Sequence, residues 1–382
     1  VKQYDIAVIG GGLAGLSLLY HFERAGKLVS KRVALIDPER KEGHDRTWSY
    51  WEREPGPFEE LVYHRWPRVT VSNSSHDCTC VLAPYTYKLI RSTEWYAHVN
   101  EVVDGIPGLE RIHARAEDIE NYPTHTEFSV DGERYTADYA YSSRPRPLDH
   151  REVAAPYLDQ HFRGWIIETE EEVFDPEEAA LMDFRTPQEG ETRFFYVLPF
   201  SKRRAMVEIA IFSNDHLEIP EYDRLIANYI AEHWTRGKYA TVHTEEGNIP
   251  MTTYDFPLRE GRLVHIGLGG GAARPSTGYT FYGLQRQLQR MAADFPDTAA
   301  VPAWSRKHLL YDATLLRILE RGKLPGDEVF VNLFRDNPAP RVLAFLNGES
   351  RFIDDLKLMS TTDIGVFGST FVGEAAGLGG RD

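Results

Sequence analysis

The residues that first suggest chemistry are glycines. Gly10-Gly11-Gly12-Leu13-Ala14-Gly15 fits G-x-G-x-x-G. The motif follows an apolar run at residues 4–9 and opens a helical pattern over 16–25. A second apolar run, 32–36, then ends at Asp37, 22 residues past Gly15. In that setting the motif reads as a phosphate-binding turn. Gly10 allows the tight turn, Gly12 lets the backbone approach a pyrophosphate, and Gly15 lets helix and strand pack closely. The helix N-terminus offers unpaired N–H groups to the anion, and Asp37 is placed to accept from an adenosine ribose. The turn alone does not separate NAD from FAD. Its place at the front of a long chain with a β-rich block inserted favours FAD. A second glycine-rich stretch, 267–271, and the segment 275–279 suit the flavin half, through Gly269, Gly270, Gly278 and Tyr279. A plain loop is the other reading of those glycines.

A second candidate is a lone acid. Residues 205–212 (AMVEIAIF) carry one ionisable side chain, Glu208. Its same-face strand neighbours are Met206, Ala210 and Phe212. Burial in an apolar wall disfavours the carboxylate, and a carboxylic acid kept neutral near pH 7 is a usable proton donor. A glutamate on a solvated sheet face, or paired with a nearby arginine, has the same local sequence, and the strand alone does not choose. Cys78 and Cys80 are the only cysteines. Without companion ligands they form neither a disulfide framework nor a zinc site, so no metal is expected, and the compartment is expected to be reducing.

These residues need a scaffold. At ~150 residues per domain, 382 residues suggest two or three units. A 42% hydrophobic, 12% aromatic composition supports a sizeable core and excludes a disordered or collagen-like chain. With 43 basic and 58 acidic residues the net charge is −15, a poor match to nucleic acid. No stretch approaches the ~18 apolar residues of a membrane span, and residues 1–5 lead straight into a strand, so no signal peptide is expected. The expected location is cytoplasmic, in solution or on a membrane surface.

Along the chain, 41–54 reads as a loop, 63–82 as antiparallel strands, and 92–100 as a helix capped by Ser92 with Trp95 buried. Strands follow at 109–119, 126–130 and 135–141, with Asp131-Gly132 as a tight turn. Then come a hairpin of 193–198 with 205–212, a helix at 222–233, a strand at 261–266 and a helix at 280–291. Helices broken at Pro325, Pro338 and Pro340 fill 304–359, and 377–382 reads as disordered. The order is α/β, β-rich, α/β, helical. It points to a Rossmann-type nucleotide domain (1–60, 85–150 and 255–300) interrupted by an antiparallel β-sheet substrate domain (61–84 and 151–254), with a helical C-terminal region (301–376).

Further segments follow the GGGLAG turn in order: RTWSYW at 46–51, LMDFR at 181–185, FYVLPFS at 195–201, Val207-Glu208, Ile249-Pro250-Met251 and PSTGY at 275–279. Together they resemble the flavin-dependent lycopene β-cyclase family of carotenoid biosynthesis, from residue 4 to about 360. The resemblance implies a fold like p-hydroxybenzoate hydroxylase and glutathione reductase, and a bound FAD acting in its reduced form with NAD(P)H as reductant. It also implies a linear carotene substrate, lycopene or γ-carotene, whose ψ end becomes a β-ionone ring without net redox change. Glu208 falls at the family's proposed acid. Asp183 would orient Glu208 or a water, a salt bridge to Arg185 or Arg193 being equally compatible. Leu13, Ala14, Arg46 and Glu117 join the cofactor set. Trp165, Phe195, Tyr196 and Met206 would form the substrate pocket, with aromatic faces, Phe194 among them, shielding a cation.

One departure stands out. Relatives often carry another acid and a Thr just after the glutamate, where this chain has Ile209 and Ala210. A relay through that acid must differ here. Because a carotene cannot be collected from water, membrane access is expected. Residues 330–346 could supply two short apolar-faced helices at the bilayer interface, and Lys202, Arg203 and Arg204 an anionic-lipid contact, unless they simply pack and solvate. A monooxygenase or isoprenoid reductase on the same fold, or a non-catalytic flavin or carotenoid carrier, are the competing readings. The second glycine stretch lacks the Asp usual in the first two. Oligomeric state is not legible.

Overall fold

The computed structural model describes residues 1–149, 151–296 and 301–378. The first sheet is built on β1 (Lys2–Ile9), which pairs in parallel with β2 (Val33–Ile36) and with β11 (Glu133–Ser142). β8 (Leu109–Ile112) extends it in parallel beyond β2, and β18 (Leu263–His265) beyond β11. Antiparallel β17 (Arg259–Glu260) closes that edge. The inner strands read as unbroken apolar runs because both faces are covered. On one side lie α1 (Leu13–Arg24), α2 (Ser92–Asp104) and α4 (Phe281–Asp294), with Trp95 fully buried. On the other lie β9 (Ala116–Asn121) and β10 (Thr126–Val130). Asp131 and Gly132 turn β10 into β11 with φ of 50° and 80°, a conformation that favours Asp and Gly.

The second sheet runs in the order β16 (Tyr239–Thr252), β12 (Tyr157–Thr169), β15 (Arg204–Ser213), β14 (Thr192–Ser201), β13 (Glu178–Asp183), β5 (Arg68–Ser72) and β6 (Asp77–Val81). All its pairs are antiparallel except β13 with β5. The hairpin turn is Lys202-Arg203 alone, tighter than its sequence suggests. The two-residue period divides the strands cleanly. Phe195, Val197, Val207, Ile209 and Ile211 pack on α3 (Ile219–His233). Phe194, Tyr196, Leu198, Met206, Ala210 and Phe212 face the other way, into a core shared with a small third sheet and the C-terminal helices.

The third sheet, β3 (Thr47–Glu52), β7 (Thr86–Arg91) and β4 (His64–Trp66), corrects one expectation. Residues 47–52 are a strand rather than loop, paired residue for residue with β7. Ser92 also does not cap α2. Its Oγ accepts from the N–H of Asp45 (3.0 Å) and Arg46 (3.2 Å) and donates to the Gly43 carbonyl (3.1 Å), pinning the loop before β3.

The C-terminal region is α5 (Arg306–Glu320), α6 (Gly326–Arg335), α7 (Ala339–Leu346), α8 (Phe352–Met359) and α9 (Ile364–Leu378). Here too an expectation is corrected. Phe330, Val331, Phe334, Val342, Leu343 and Leu346 are buried in the core against the second sheet, so 330–346 offers no apolar face to a bilayer. Lys202 and Arg203 pair with Glu172, and Arg204 with Glu168. The exposed apolar side chains lie further on: Phe352 (62% exposed), Ile353 and Leu356 on α8, Ile364 (70%) and Val372 on α9. Of the segment 377–382, α9 continues to Leu378 and residues 379–382 lie outside the described residues. Among the described residues no helix is long and apolar enough to cross a membrane.

Candidate active site

The glycine turn is shaped by what it leaves out. Gly10 has φ +106°, a backbone conformation side chains rarely adopt. A Cβ on Gly15 would sit 1.9 Å from the Gly10 carbonyl oxygen, so only glycine lets α1 pack against β1 here. A Cβ on Gly12 would meet nothing within 4 Å; it would point into open space. That space belongs to a cavity of about 490 Å3 lined by Gly12, Leu13, Ala14 and Arg46, and by Gly278 and Tyr279. On the other side of the turn, Gly10 and Asp37 line a second cavity of about 330 Å3. The Asp37 carboxylate already accepts from the N–H of Gly11 (2.6 Å) and Glu39 (2.8 Å), which fixes it at the end of β2.

Three expected cofactor residues fall elsewhere. Glu117 is exposed on β9, outside both cavities. Gly269 and Gly270 serve packing: a Cβ on either would lie 2.3 Å from the Arg144 carbonyl oxygen or 2.4 Å from that of His265. Their neighbours Gly267 and Leu268 line the large cavity instead.

At its far end the same cavity reaches Glu208. This residue is 8% exposed, at the centre of β15, with Gly164 of β12 opposite on one side and Tyr196 of β14 on the other. Gly164 is also opposite Glu245 of β16. The two glutamates thus flank a residue with no side chain, and Glu208 hydrogen-bonds Glu245 across it. Burial, then the charge of Glu245, pushes the Glu208 carboxyl well above the ordinary carboxylate range. Burial also raises Glu245, opposed by its bonds to Thr47 and Glu208 and by the charge of Arg46. Thr47 Oγ1 donates to Glu245 Oε2 at 2.6 Å.

A chain of hydroxyls completes the wall. Tyr87 and Tyr279 meet at 2.9 Å, and Tyr279 also bonds Tyr196. Burial lifts the Tyr87 phenol to about 12, so these hydroxyls stay neutral. Tyr196, Met206 and Phe162 line the cavity.

Trp165 and Phe195 are corrected. Both lie on the α3 face of the sheet, one residue out of phase with the cavity. Trp165 Nε1 donates to Asp223 Oδ1 at 3.0 Å, and Phe195 stacks on Tyr229 with centroids 3.8 Å apart. Asp183 is on that side too. Burial pushes its carboxyl up, but Arg185 (2.6 Å) and Tyr229 (2.5 Å) outweigh burial and hold it below the ordinary range. It is therefore spent on Arg185 and Tyr229 and does not orient Glu208. Phe194 faces the cavity side but packs against Phe184, Tyr196 and Phe212 in the core. Sequence reasoning missed Glu245, Thr47, Gly164 and Tyr87. The one available signal was the alternation of Glu245, Gly247 and Ile249 leading into the IPM segment.

Residues 5–368 match the family described as Lycopene cyclase protein. The chain is 24% identical over 307 residues to neoxanthin synthase, chloroplastic, of Solanum tuberosum, covering 72% of this chain and 57% of that protein. It is 24% identical over 301 residues to lycopene beta-cyclase of Pantoea ananas, covering 73% of this chain and 71% of that one. Among solved structures, a geranylgeranyl bacteriochlorophyll reductase-like protein from Thermoplasma acidophilum superposes with a TM-score of 0.67 at 14% identity, over 96% of this chain and 98% of that one. A flavin-dependent brominase, Bmp2, gives 0.61 at 13%, over 94% and 98%. The fold is thus the Rossmann-type fold of flavin-dependent enzymes.

Proposed function

The chain belongs to the lycopene cyclase family, and on that premise we propose that it closes a β-ionone ring on the ψ end of a linear carotene, lycopene or γ-carotene. Glu208 is the proton donor, and FAD, kept reduced by NAD(P)H, is the cofactor. One observation carries the reading: a single cavity runs from the glycine turn to a buried carboxyl that burial and Glu245 hold well above the ordinary carboxylate range. The turn fits a dinucleotide. The space beyond Gly12 is free of protein atoms, and the turn stands between two cavities, one for each half. Gly12, Leu13 and Ala14 would hold the pyrophosphate, and Gly278 and Tyr279 the flavin half. Reduced flavin, when bound, supplies negative charge in a dry site where it stabilises a cation.

The residues of this chain do the rest. The Glu208 O–H bond breaks as a C–H bond forms at the terminal double bond. The neighbouring double bond captures the resulting cation to close the ring, and loss of a ring proton restores a double bond. Atoms and electrons are conserved, so the product is an isomer of the substrate. The rings of Tyr196, Tyr87 and Phe162 face the cavity and shield the cation. The substrate is a hydrocarbon, so the bilayer is its source. The exposed apolar residues of α8 and α9 are the docking face, working by insertion because the net charge of −15 opposes attraction to anionic lipid.

The test is to incubate the FAD-loaded protein with lycopene in neutral lipid vesicles under reducing conditions and to weigh the product. Unchanged mass with a spectrum shifted to shorter wavelength supports cyclisation. A gain of oxygen indicates a monooxygenase and a gain of hydrogen a reductase. Bound but unaltered carotene indicates a carrier.

A further inference from the structure

We propose that Glu245 is a positioning residue for Glu208, the two carboxyls forming a pair that holds a single proton and keeps it on Glu208. The inference rests on the reading of Glu208 as the acid, and it takes the relay to a strand far from Glu208 in sequence. The geometry is specific. Glu208 and Glu245 lie on two different neighbours of β12, both opposite Gly164. A Cβ on Gly164 would stand 3.0 Å from Glu208 Oε2, so the carboxyl leans over the glycine on its way to Glu245. Any other residue at 164 would stand between the two acids.

Two carboxylates this close in an apolar wall do not both ionise, so they titrate as a pair. The surroundings decide which keeps the proton. Thr47 donates a hydrogen bond to Glu245, and Arg46 places positive charge near it; both favour Glu245 as the anion. Asp45 opposes them from the same loop. His243, two residues along β16, stacks on His44 at 4.3 Å, and Lys41 at the rim is paired with Glu39. Around Glu208 the titratable groups are Tyr87, Tyr196 and Tyr279, all held neutral by burial. Glu208 therefore carries the proton and Glu245 the charge.

Exposure gives the pair a direction. Glu208 is buried, whereas Glu245 is half-buried and next to the exposed Arg46. In each turnover one proton passes from Glu208 to a substrate carbon. The ring proton lost by the cation leaves to solvent, and an equal one enters at Glu245 and is handed to Glu208. No electron is gained or lost.

The experiment follows the protonated carboxyl itself. On the FAD-loaded protein, infrared titration in wild type is expected to show a protonated-carboxyl stretch near neutral pH that Glu208→Gln abolishes. In Glu245→Gln the band should disappear at lower pH than in wild type, because the neighbouring charge is gone. The alkaline limb of kcat/KM should move with it, kcat should fall as well because the proton no longer enters through residue 245, and Glu245→Asp should recover part of both. Thr47→Val should raise the first ionisation of the pair, the step that forms the Glu245 carboxylate, so that a second protonated-carboxyl stretch persists to higher pH while the alkaline limit of the Glu208 band stays nearly in place; this arm stands even if Glu245→Gln does not fold. A rate lowered equally at all pH values with an unmoved band in Glu245→Gln, or a first ionisation that stays in place in Thr47→Val, overturns the pair. A shifting band with no cyclisation of lycopene would leave the pair standing and remove the proposed function instead.

Discussion

Gly164 and Glu208 sit opposite each other in adjacent strands, and the absence of one side chain is the room for the other. A Cβ at 164 would lie 3.0 Å from Oε2, 3.1 Å from Cβ and 3.4 Å from Cγ of Glu208. Glycine inside a strand costs about 0.5–1 kcal/mol relative to alanine, and here the cost falls in the middle of β12, which pairs along its whole length. Gly164→Ala removes that cost but sets its methyl 3.1 Å from the Glu208 Cβ, which cannot swing aside, so the thermal midpoint should fall modestly. Cyclisation should fall by up to about 100-fold, the usual penalty for displacing a reacting group by about an ångström. Full activity in a folded Gly164→Ala protein would show that the contact has no bearing on turnover.

Glu208 ties activity to stability with opposite signs. Glu208→Gln should lose about 100- to 10,000-fold in turnover, the usual worth of a positioned acid, while keeping its flavin absorbance. Stability should move the other way. The folded chain holds this carboxyl well above its ordinary 4.5, chiefly through burial. Between 4.5 and the raised value the native state binds more protons than the unfolded chain, so stability falls as pH rises through that window and levels off above it. Removing the ionisation removes the loss. Urea midpoints for Glu208→Gln should exceed wild type at pH 8 and converge with it towards pH 4, and a constant difference across that range would place the penalty elsewhere.

The glycine turn offers a paired comparison. Gly15 is closed in by the Gly10 carbonyl at 1.9 Å and Val8 at 3.1 Å, whereas a Cβ on Gly12 would meet no protein atom within 4 Å. Gly15→Ala should destabilise the fold even without flavin, because backbone cannot step aside cheaply. Gly12→Ala should leave the apoprotein's unfolding free energy within about 0.5 kcal/mol of wild type, as for other substitutions that disturb no packing, yet weaken FAD binding in a fluorescence titration. Equal FAD affinity in Gly12→Ala would mean that the pyrophosphate lies elsewhere.

What the sequence made legible follows from locality. The βαβ unit, its glycines and Asp37 fall within forty residues, so spacing alone located them. Glu208 announced itself as the one charge in an apolar strand. The periodicity also holds the information that Phe195 points away from Tyr196, its neighbour in the same strand, and the segment resemblance masked it; Trp165 is on another strand, so its facing depends on register. Glu245 was not legible, because its meeting with Glu208 depends on the register of β16 against β12 and of β12 against β15, which no local pattern encodes. The apolar residues of 330–346 misled for a related reason. An amphipathic helix that faces a core and one that faces a bilayer have the same stripe, and only the position of the second sheet separates them.

That separation shifts the membrane expectation to α8 and α9. Phe352, Ile353, Leu356, Ile364 and Val372 are exposed, and the sole charged residue of α9, Glu374, is engaged by Arg317 at 2.8 Å and so does not oppose insertion. Burying one such side chain in lipid is worth about 1.5–3 kcal/mol. Phe352→Asp and Ile364→Asp should each weaken binding to phosphatidylcholine vesicles by about tenfold or more, with little dependence on salt because no charge attraction is lost. Substituting Phe334, already in the core, should reduce stability instead of vesicle affinity. Cosedimentation with neutral vesicles across the three variants distinguishes the cases, and undiminished binding of both Asp variants would mean that the carotene enters from another face.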